Sequence, residues 1–132
     1  MASAPGAKSI AQMLLEAARQ DAAACKILSA SESIGDAVIG FHAQQAVEKA
    51  IKAVLSHRRI EFRRTHDLVT LIDLLQDNGL PAPPGVDWLD ELNPYAVEAR
   101  YGTIEPDNLN RIEVLTVIAA VLEWAQSLIA PD

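Results

Sequence analysis

The chain has 132 residues, half of them apolar, and a formal net charge of −7 at pH 7. This length fits one domain with a sizeable buried core, and the acidic balance argues against general electrostatic attraction to nucleic acid. The single cysteine, Cys25, excludes a disulfide within the chain, and its Ala-rich surroundings predict a small buried hydrophobe.

The N-terminal residues and the longest apolar stretches predict where in the cell the protein is found. The N-terminal residues show no long apolar run and no charged leader, so no signal peptide is predicted. The longest apolar stretches, near Val114–Leu122, are short and interrupted, which argues against a membrane span. We therefore expect a cytoplasmic protein without a membrane partner, made of a single domain with residues 1–7 as a flexible lead.

Helical periodicity runs through the first half of the chain. Apolar residues at three- and four-residue spacing predict a first helix over Lys8–Ser29 and a second over Ile34–Arg58. A third helix is predicted over Asp67–Asp77, with Thr65 as its cap and Asn78-Gly79 as its stop.

The second half predicts two further helices. A short one carries Trp88 and is broken or kinked by Pro94, and the last runs from Pro106 to Ile129. The last helix is apolar over most of its circumference, which predicts burial on more than one side, as in a subunit interface. The predicted fold is all-α: an antiparallel up-and-down bundle of about five helices, forming a homodimer.

Polar residues interrupt the apolar face of the second helix. Its predicted apolar row comprises Ile34, Val38, Phe41, Ile51 and Leu55, and the same stripe also carries Gln45, Glu48 and Lys52. Glu48 and Lys52 are four residues apart and can pair. Gln45 would need a partner from another helix or another subunit, because a buried polar group without one costs free energy.

A basic connector follows the second helix. Arg58, Arg59, Arg63 and Arg64 lie within seven positions, and only Glu61 offsets them locally. One basic patch on an acidic body indicates local anion capture. The alternative is a solvated helix end at which arginines favour the helix dipole.

Motifs for metal or nucleotide cofactors are missing from the sequence. It has no phosphate-binding glycine loop and no paired-cysteine zinc spacing. The dipeptide His66-Asp67 would suit a metal phosphohydrolase only with further ligands, and only His42 and His57 are available. We therefore expect no metal and no other cofactor.

Three stretches, Phe41–Leu55, Thr65–Leu75 and Leu92–Gly102, together resemble the HEPN domain family in their order and spacing. The resemblance covers roughly residues 10 to 128. It implies a small helical bundle that dimerises, of the kind found with minimal nucleotidyltransferases and in toxin–antitoxin pairs. The positions that match the family are Gln45, Glu48, Lys49, His66, Asp67, Arg100 and Tyr101.

The resemblance also implies a possible catalytic pair. Many HEPN proteins are metal-independent endoribonucleases that use an Arg, four to six intervening residues and a His. That spacing joins Arg59 to His66 in this chain, whereas no His follows Arg100 at a matching distance. His66 would be the acid or base, and Arg59, Arg63 or Arg64 would hold the phosphate.

Three hypotheses follow. The first is a nucleotide-binding and interaction module, the partner of a nucleotidyltransferase in a toxin–antitoxin type system. Such a module would bind a nucleotide or single-stranded RNA. The predicted binding residues are Arg63, Arg64, Gln45, Glu48, Lys49, Asp67, Arg100 and Tyr101. The second is a toxin-like endoribonuclease that uses His66 and Arg59. The third is a purely structural dimerisation module. In it, Arg100 would form an ion pair with Glu48 or Asp67 across the bundle, and His66 and Asp67 would only be first-turn residues of a helix.

Overall fold

The computed structural model describes residues 8–96 and 109–129. Within these ranges the chain is helical and has no β-strand, so the all-α prediction is confirmed. The helices are α1 (Ile10–Ser29), α2 (Asp36–His57), α3 (Leu68–Asp77), α4 (Val86–Leu89) and α5 (Arg111–Ile129), with a 3-10 helix (Asp90–Ala96) directly after α4. The predictions for residues 1–7, for Arg100 and Tyr101, and for a helix start at Pro106 lie outside the described residues.

Local caps fix two of the helix starts. A capping box opens α1, since the Gln12 amide donates to Ser9 Oγ and the Ser9 amide donates to Gln12 Oε1, both at 3.1 Å. The predicted cap of α3 was wrong by two residues. Asp67 is the cap and accepts from the Val69 amide at 3.0 Å, while Thr65 Oγ1 accepts from the Asp67 amide.

The central element of the bundle is α2. It forms a hairpin with α1 through a short turn and also packs against α3, α5 and the 3-10 helix. Twelve of its 22 residues are buried. Gly40 allows the closest approach, because a Cβ there would lie 2.2 Å from the Tyr95 ring.

In the first half of α2 the buried face is shifted by about one residue from the predicted row, whereas Ile51 and Leu55 of that row are fully buried as predicted. Val38 is 45% exposed, whereas Ile39, Ala43 and Val47 are fully buried. Contacts from several helices widen the buried arc, so the helix has no single apolar stripe that would reveal its orientation. This shift decides which glutamine enters the core.

An arginine ties α5 to the α1–α2 turn. Arg111 Nε donates to Asp36 Oδ1 at 2.9 Å, and its terminal nitrogens donate to the backbone carbonyls of Ser29, Ser31 and Ile34. These bonds use most donors of one guanidinium. They hold the start of α5 against the turn.

By length and composition alone, α5 is long and apolar enough to cross a membrane, in contrast to the expectation from the apolar stretch near Val114–Leu122. Core helices of soluble proteins meet the same criterion, so it is weak evidence. Its inner face consists of Val114, Ile118, Val121, Ala125 and Ile129.

Candidate functional site

A buried carboxylate, Glu48, lies at the centre of the candidate site. Its side chain is only 4% exposed, and three groups contact it. Lys52 Nζ lies 3.0 Å from Oε2, and His66 Nδ1 and Gln44 Nε2 lie 2.9 and 3.0 Å from Oε1. A buried charge is tolerated when it is paired and hydrogen-bonded in this way.

The contact with Glu48 determines how His66 is presented. An ionised carboxylate only accepts hydrogen bonds, so Nδ1 of His66 carries a proton. The other ring nitrogen, Nε2, is then left for an external group, and the side chain is 52% exposed. A histidine oriented by a carboxylate through Nδ1 suits proton exchange at Nε2 when the ring is neutral, and it donates to an anion there when Nε2 also carries a proton.

Gln44, which the sequence analysis missed, holds this pair together. It is fully buried, and its Nε2 donates to Glu48 Oε1 and to the His66 carbonyl, both at 3.0 Å. Its Oε1 accepts from Gln45 Nε2 at 2.7 Å. The predicted need of Gln45 for a partner on another helix or subunit was therefore wrong. The four-residue spacing of Gln44 and Glu48 was the available signal.

Lys52 closes the other side of the network. The predicted Glu48–Lys52 pair is present, and the lysine side chain is only 13% exposed. Its ammonium also lies 5.8 Å from the centre of the Phe62 ring, within the range of a cation–π contact. Phe62 belongs to the basic connector, so Lys52 joins α2 to that segment.

The predicted arginines lie in the connector between α2 and His66, on the protein surface. Arg59, Arg63 and Arg64 are exposed, and none has a side-chain hydrogen bond or ion pair within residues 8–96 and 109–129. Arg59 has a left-handed backbone with a φ of 58° just after α2. No hydrogen bond or ion pair joins Arg59 to His66, the pair that was predicted to be catalytic.

Asp67 has a structural role at the start of α3. Burial alone would raise the pKa of its carboxyl, but hydrogen bonds from Thr70, Val69 and Asn93 together hold that pKa below the ordinary 3.8. Asn93 also accepts from the Leu68 amide at 2.8 Å. Asp67 therefore fixes the backbone that carries His66 and has no direct contact with Glu48.

Lys49 belongs to a second, similar cluster between α1 and α2. Asp21 lies 2.6 Å from Lys49 Nζ and 3.0 Å from His42 Nδ1. The cluster repeats the combination of carboxylate, lysine and histidine found at Glu48. The sequence analysis had not joined His42 or Asp21 to the site.

A cavity of about 460 Å³ lies between the connector and α3. Phe62, Leu71 and Leu74 supply its apolar lining, and Arg63 and Thr65 line it on the connector side. Its acidic lining residues are Glu61, Asp73 and Asp77. One of its lining residues, Thr65, directly precedes His66 in the sequence.

Other chemistry finds little support in the described ranges. No group of three or more His, Cys, Asp or Glu there could hold a metal ion. Cys25 is fully buried, and burial raises the pKa of its thiol to about 11, so the thiolate nucleophile is not available near neutral pH.

Comparisons with known proteins identify the family. The model of the HEPN domain matches residues 11–128, and the chain therefore belongs to the HEPN family. A similar fold is found in a crystal structure described as ST0689, an archaeal HEPN homologue, with a TM-score of 0.63 and 20% identity over 93% of this chain and 99% of that one. No curated protein matches the sequence.

Proposed function

We propose that this HEPN domain binds the phosphate group of a nucleotide or of single-stranded RNA at His66 and the neighbouring arginines. The observation that carries the proposal is the exposed His66 ring, whose Nδ1 is fixed 2.9 Å from the buried Glu48. Gln44 and Lys52 hold the Glu48 carboxylate, and this carboxylate in turn orients the His66 ring before any ligand binds. A ring oriented in advance loses little entropy on binding.

The surroundings of His66 support an anionic ligand. Arg63 and Arg64 have no partner in the described part of the chain, so their donors are available to a phosphate. The cavity between the connector and α3 has apolar lining residues, including Phe62, that suit a nucleobase, whereas its acidic residues Glu61, Asp73 and Asp77 disfavour the phosphate there, so we place the phosphate outside the cavity. Its volume of about 460 Å³ falls in the range of ligand pockets.

The proposal is tested by titrating nucleoside monophosphates and a short single-stranded RNA into the pure protein. We expect His66→Ala and the double variant Arg63→Ala/Arg64→Ala each to weaken binding about tenfold or more, as loss of a charge-assisted hydrogen bond would. Lys26→Ala, an exposed lysine on α1, is the matched control and should bind like the wild type. Absence of binding by the wild type would leave the purely structural dimerisation module.

A second candidate function is metal-independent RNA cleavage. The orientation of His66 favours it, because Nε2 of the neutral ring can take the proton from a ribose 2′-hydroxyl. The 2′-oxygen then attacks the adjacent phosphorus, the P–O5′ bond breaks, and the 5′-oxygen leaves with a proton from water, while an arginine stabilises the phosphate charge. The test is incubation with labelled single-stranded RNA in EDTA. Cleavage by the wild type and not by His66→Ala would support this function, and intact RNA in both samples would reject it.

We also propose that the domain is a homodimer that works beside a nucleotidyltransferase. Ile27 and Ile112 are 72% and 80% exposed, which leaves apolar surface on α1 and α5 for a partner. Sedimentation should give twice the 14.3 kDa chain mass. Co-purification of a nucleotidyltransferase with the tagged protein would support the second part, and a monomer without such a partner would contradict both parts.

A further inference from the structure

The second cluster extends the proposed site along α2. His42, Gln45, Lys49 and Lys52 are all partly exposed, whereas the residues between them are mostly buried. At about 100° per residue these four positions fall within an arc of roughly 80° on the helix. They form one stripe, which we name the α2 stripe.

Two carboxylates border the α2 stripe on opposite sides. Asp21 on α1 contacts His42 and Lys49, and Glu48, on the other side, contacts Lys52 and His66. Each carboxylate thus contacts the Nζ of one lysine and the Nδ1 of one histidine. Nε2 of both histidines has no hydrogen-bond partner within residues 8–96 and 109–129. The Lys49 side chain is 30% exposed and that of Lys52 only 13%, so the Asp21 unit offers the more accessible ammonium.

The length of the stripe decides the size of that ligand. From His42 to Lys52 the helix rises roughly 15 Å, since each residue adds about 1.5 Å. A single phosphate cannot reach from His42 at one end of the stripe to Lys52 at the other, although Lys49 and Lys52 are only three residues, or about 4.5 Å of rise, apart. A chain of phosphates can, and the lysines offer point charges along its path.

We propose that the α2 stripe binds the backbone of a single-stranded oligonucleotide, with His66 and the arginines at one end and the Asp21–His42–Lys49 unit as a second phosphate subsite. This inference rests on the proposed phosphate binding at His66 and specifies its substrate class as an oligonucleotide. The lysine–carboxylate pairs keep the stripe nearly neutral without a ligand, which is consistent with the acidic charge of the whole chain.

The test compares a nucleoside monophosphate with a hexauridylate, by fluorescence anisotropy or calorimetry on the full chain. We expect the wild type to bind the hexamer at least tenfold more tightly. Lys49→Met and His42→Gln should each weaken hexamer binding about three- to tenfold and leave mononucleotide binding unchanged. Lys49→Met should also reduce the salt dependence of hexamer binding by about 0.7 in the log–log slope, as expected for one lost contact with a single strand.

Controls separate this inference from the proposed function. Lys26→Met removes an exposed lysine of α1 outside the stripe and should change neither affinity, and thermal unfolding checks that each variant is folded. Equal affinities for the two ligands, or variants that bind the hexamer like the wild type, would overturn the second subsite and leave the His66 site standing. Failure of the wild type to bind either ligand would overturn both.

Discussion

At the scale of single residues, the site depends on a buried polar network that sequence reasoning found only in part. Glu48 and Lys52 were singled out because charged residues inside an apolar stripe are unusual, and His66 because of the resemblance to the HEPN family and its spacing from Arg59. The link between Glu48 and His66 was not predicted, since it joins helix α2 to a loop 18 residues away. Gln44 was missed because the helix is rotated by about one position from the expected row.

Replacement of Gln44 tests this network directly. Gln44→Met keeps the side-chain volume and removes three hydrogen bonds, two that Gln44 donates, one of them to a carboxylate, and one that it accepts from Gln45. We expect a loss of about 2 kcal/mol in the free energy of unfolding, measured with urea. Gln45→Met, which loses one bond at a half-buried position, should cost less than about 1 kcal/mol. Similar costs for the two variants would contradict the central position of Gln44.

Asp67 gives a prediction about pH. Its folded pKa lies below the ordinary 3.8, so its ionised form contributes stability that is complete above pH 3.8 and is lost as the pH falls through the folded value. Asp67→Ala should cost about 1 kcal/mol at pH 7, as for other helix caps. Urea unfolding of both proteins from pH 7 to pH 2.5 should show the difference shrinking below pH 3.8. A difference that grows on acidification would refute this assignment.

At the scale of elements, the sequence predicted the helices better than the faces they bury. Periodicity and turn residues located α1, α2 and α3 within about two residues of their observed ends, because capping and the 3.6-residue repeat are local. The orientation of α2 depends on four neighbouring elements, which periodicity does not reveal. The basic connector was predicted as such, but its contact with Lys52 through Phe62 was not.

The close approach between α2 and the 3-10 helix depends on Gly40. Alanine is the better helix former by about 1 kcal/mol, yet its Cβ would lie 2.2 Å from the Tyr95 ring. We therefore expect Gly40→Ala to lower the free energy of unfolding by about 2 kcal/mol. Gly35→Ala, with nothing within 4 Å of the new Cβ, should change it by less than about 1 kcal/mol. A Gly40→Ala protein with the same free energy of unfolding as the wild type would contradict this packing.

Arg59, just after the end of α2, lets the stability of the fold and the proposed RNA binding be tested by one substitution. The left-handed backbone conformation at this position favours glycine, and any side chain there lowers the free energy of unfolding by about 1 kcal/mol. We expect Arg59→Gly to raise the thermal midpoint and at the same time to weaken RNA binding. A stabilised variant that binds RNA normally would remove Arg59 from the site.

At the scale of the whole molecule, charge is distributed unevenly. The chain carries a net charge of −7, yet four arginines lie between residues 58 and 64. This distribution suits a ligand that meets the protein at one place and is repelled elsewhere. The all-α fold could be predicted from the sequence because helical periodicity is a local pattern, and the family because three stretches resemble HEPN domains in their order and spacing. The second cluster could not, since Asp21 and His42 meet only when α1 packs against α2.

The most direct test of phosphate binding at His66 is a nuclear magnetic resonance titration of isotope-labelled protein with a short single-stranded RNA in EDTA. The account predicts that the largest chemical-shift changes fall on the His66 ring, on Lys52 and on the amides of Arg63 and Arg64. Changes confined to the outer faces of α1 and α5, or no change at millimolar RNA, would contradict it.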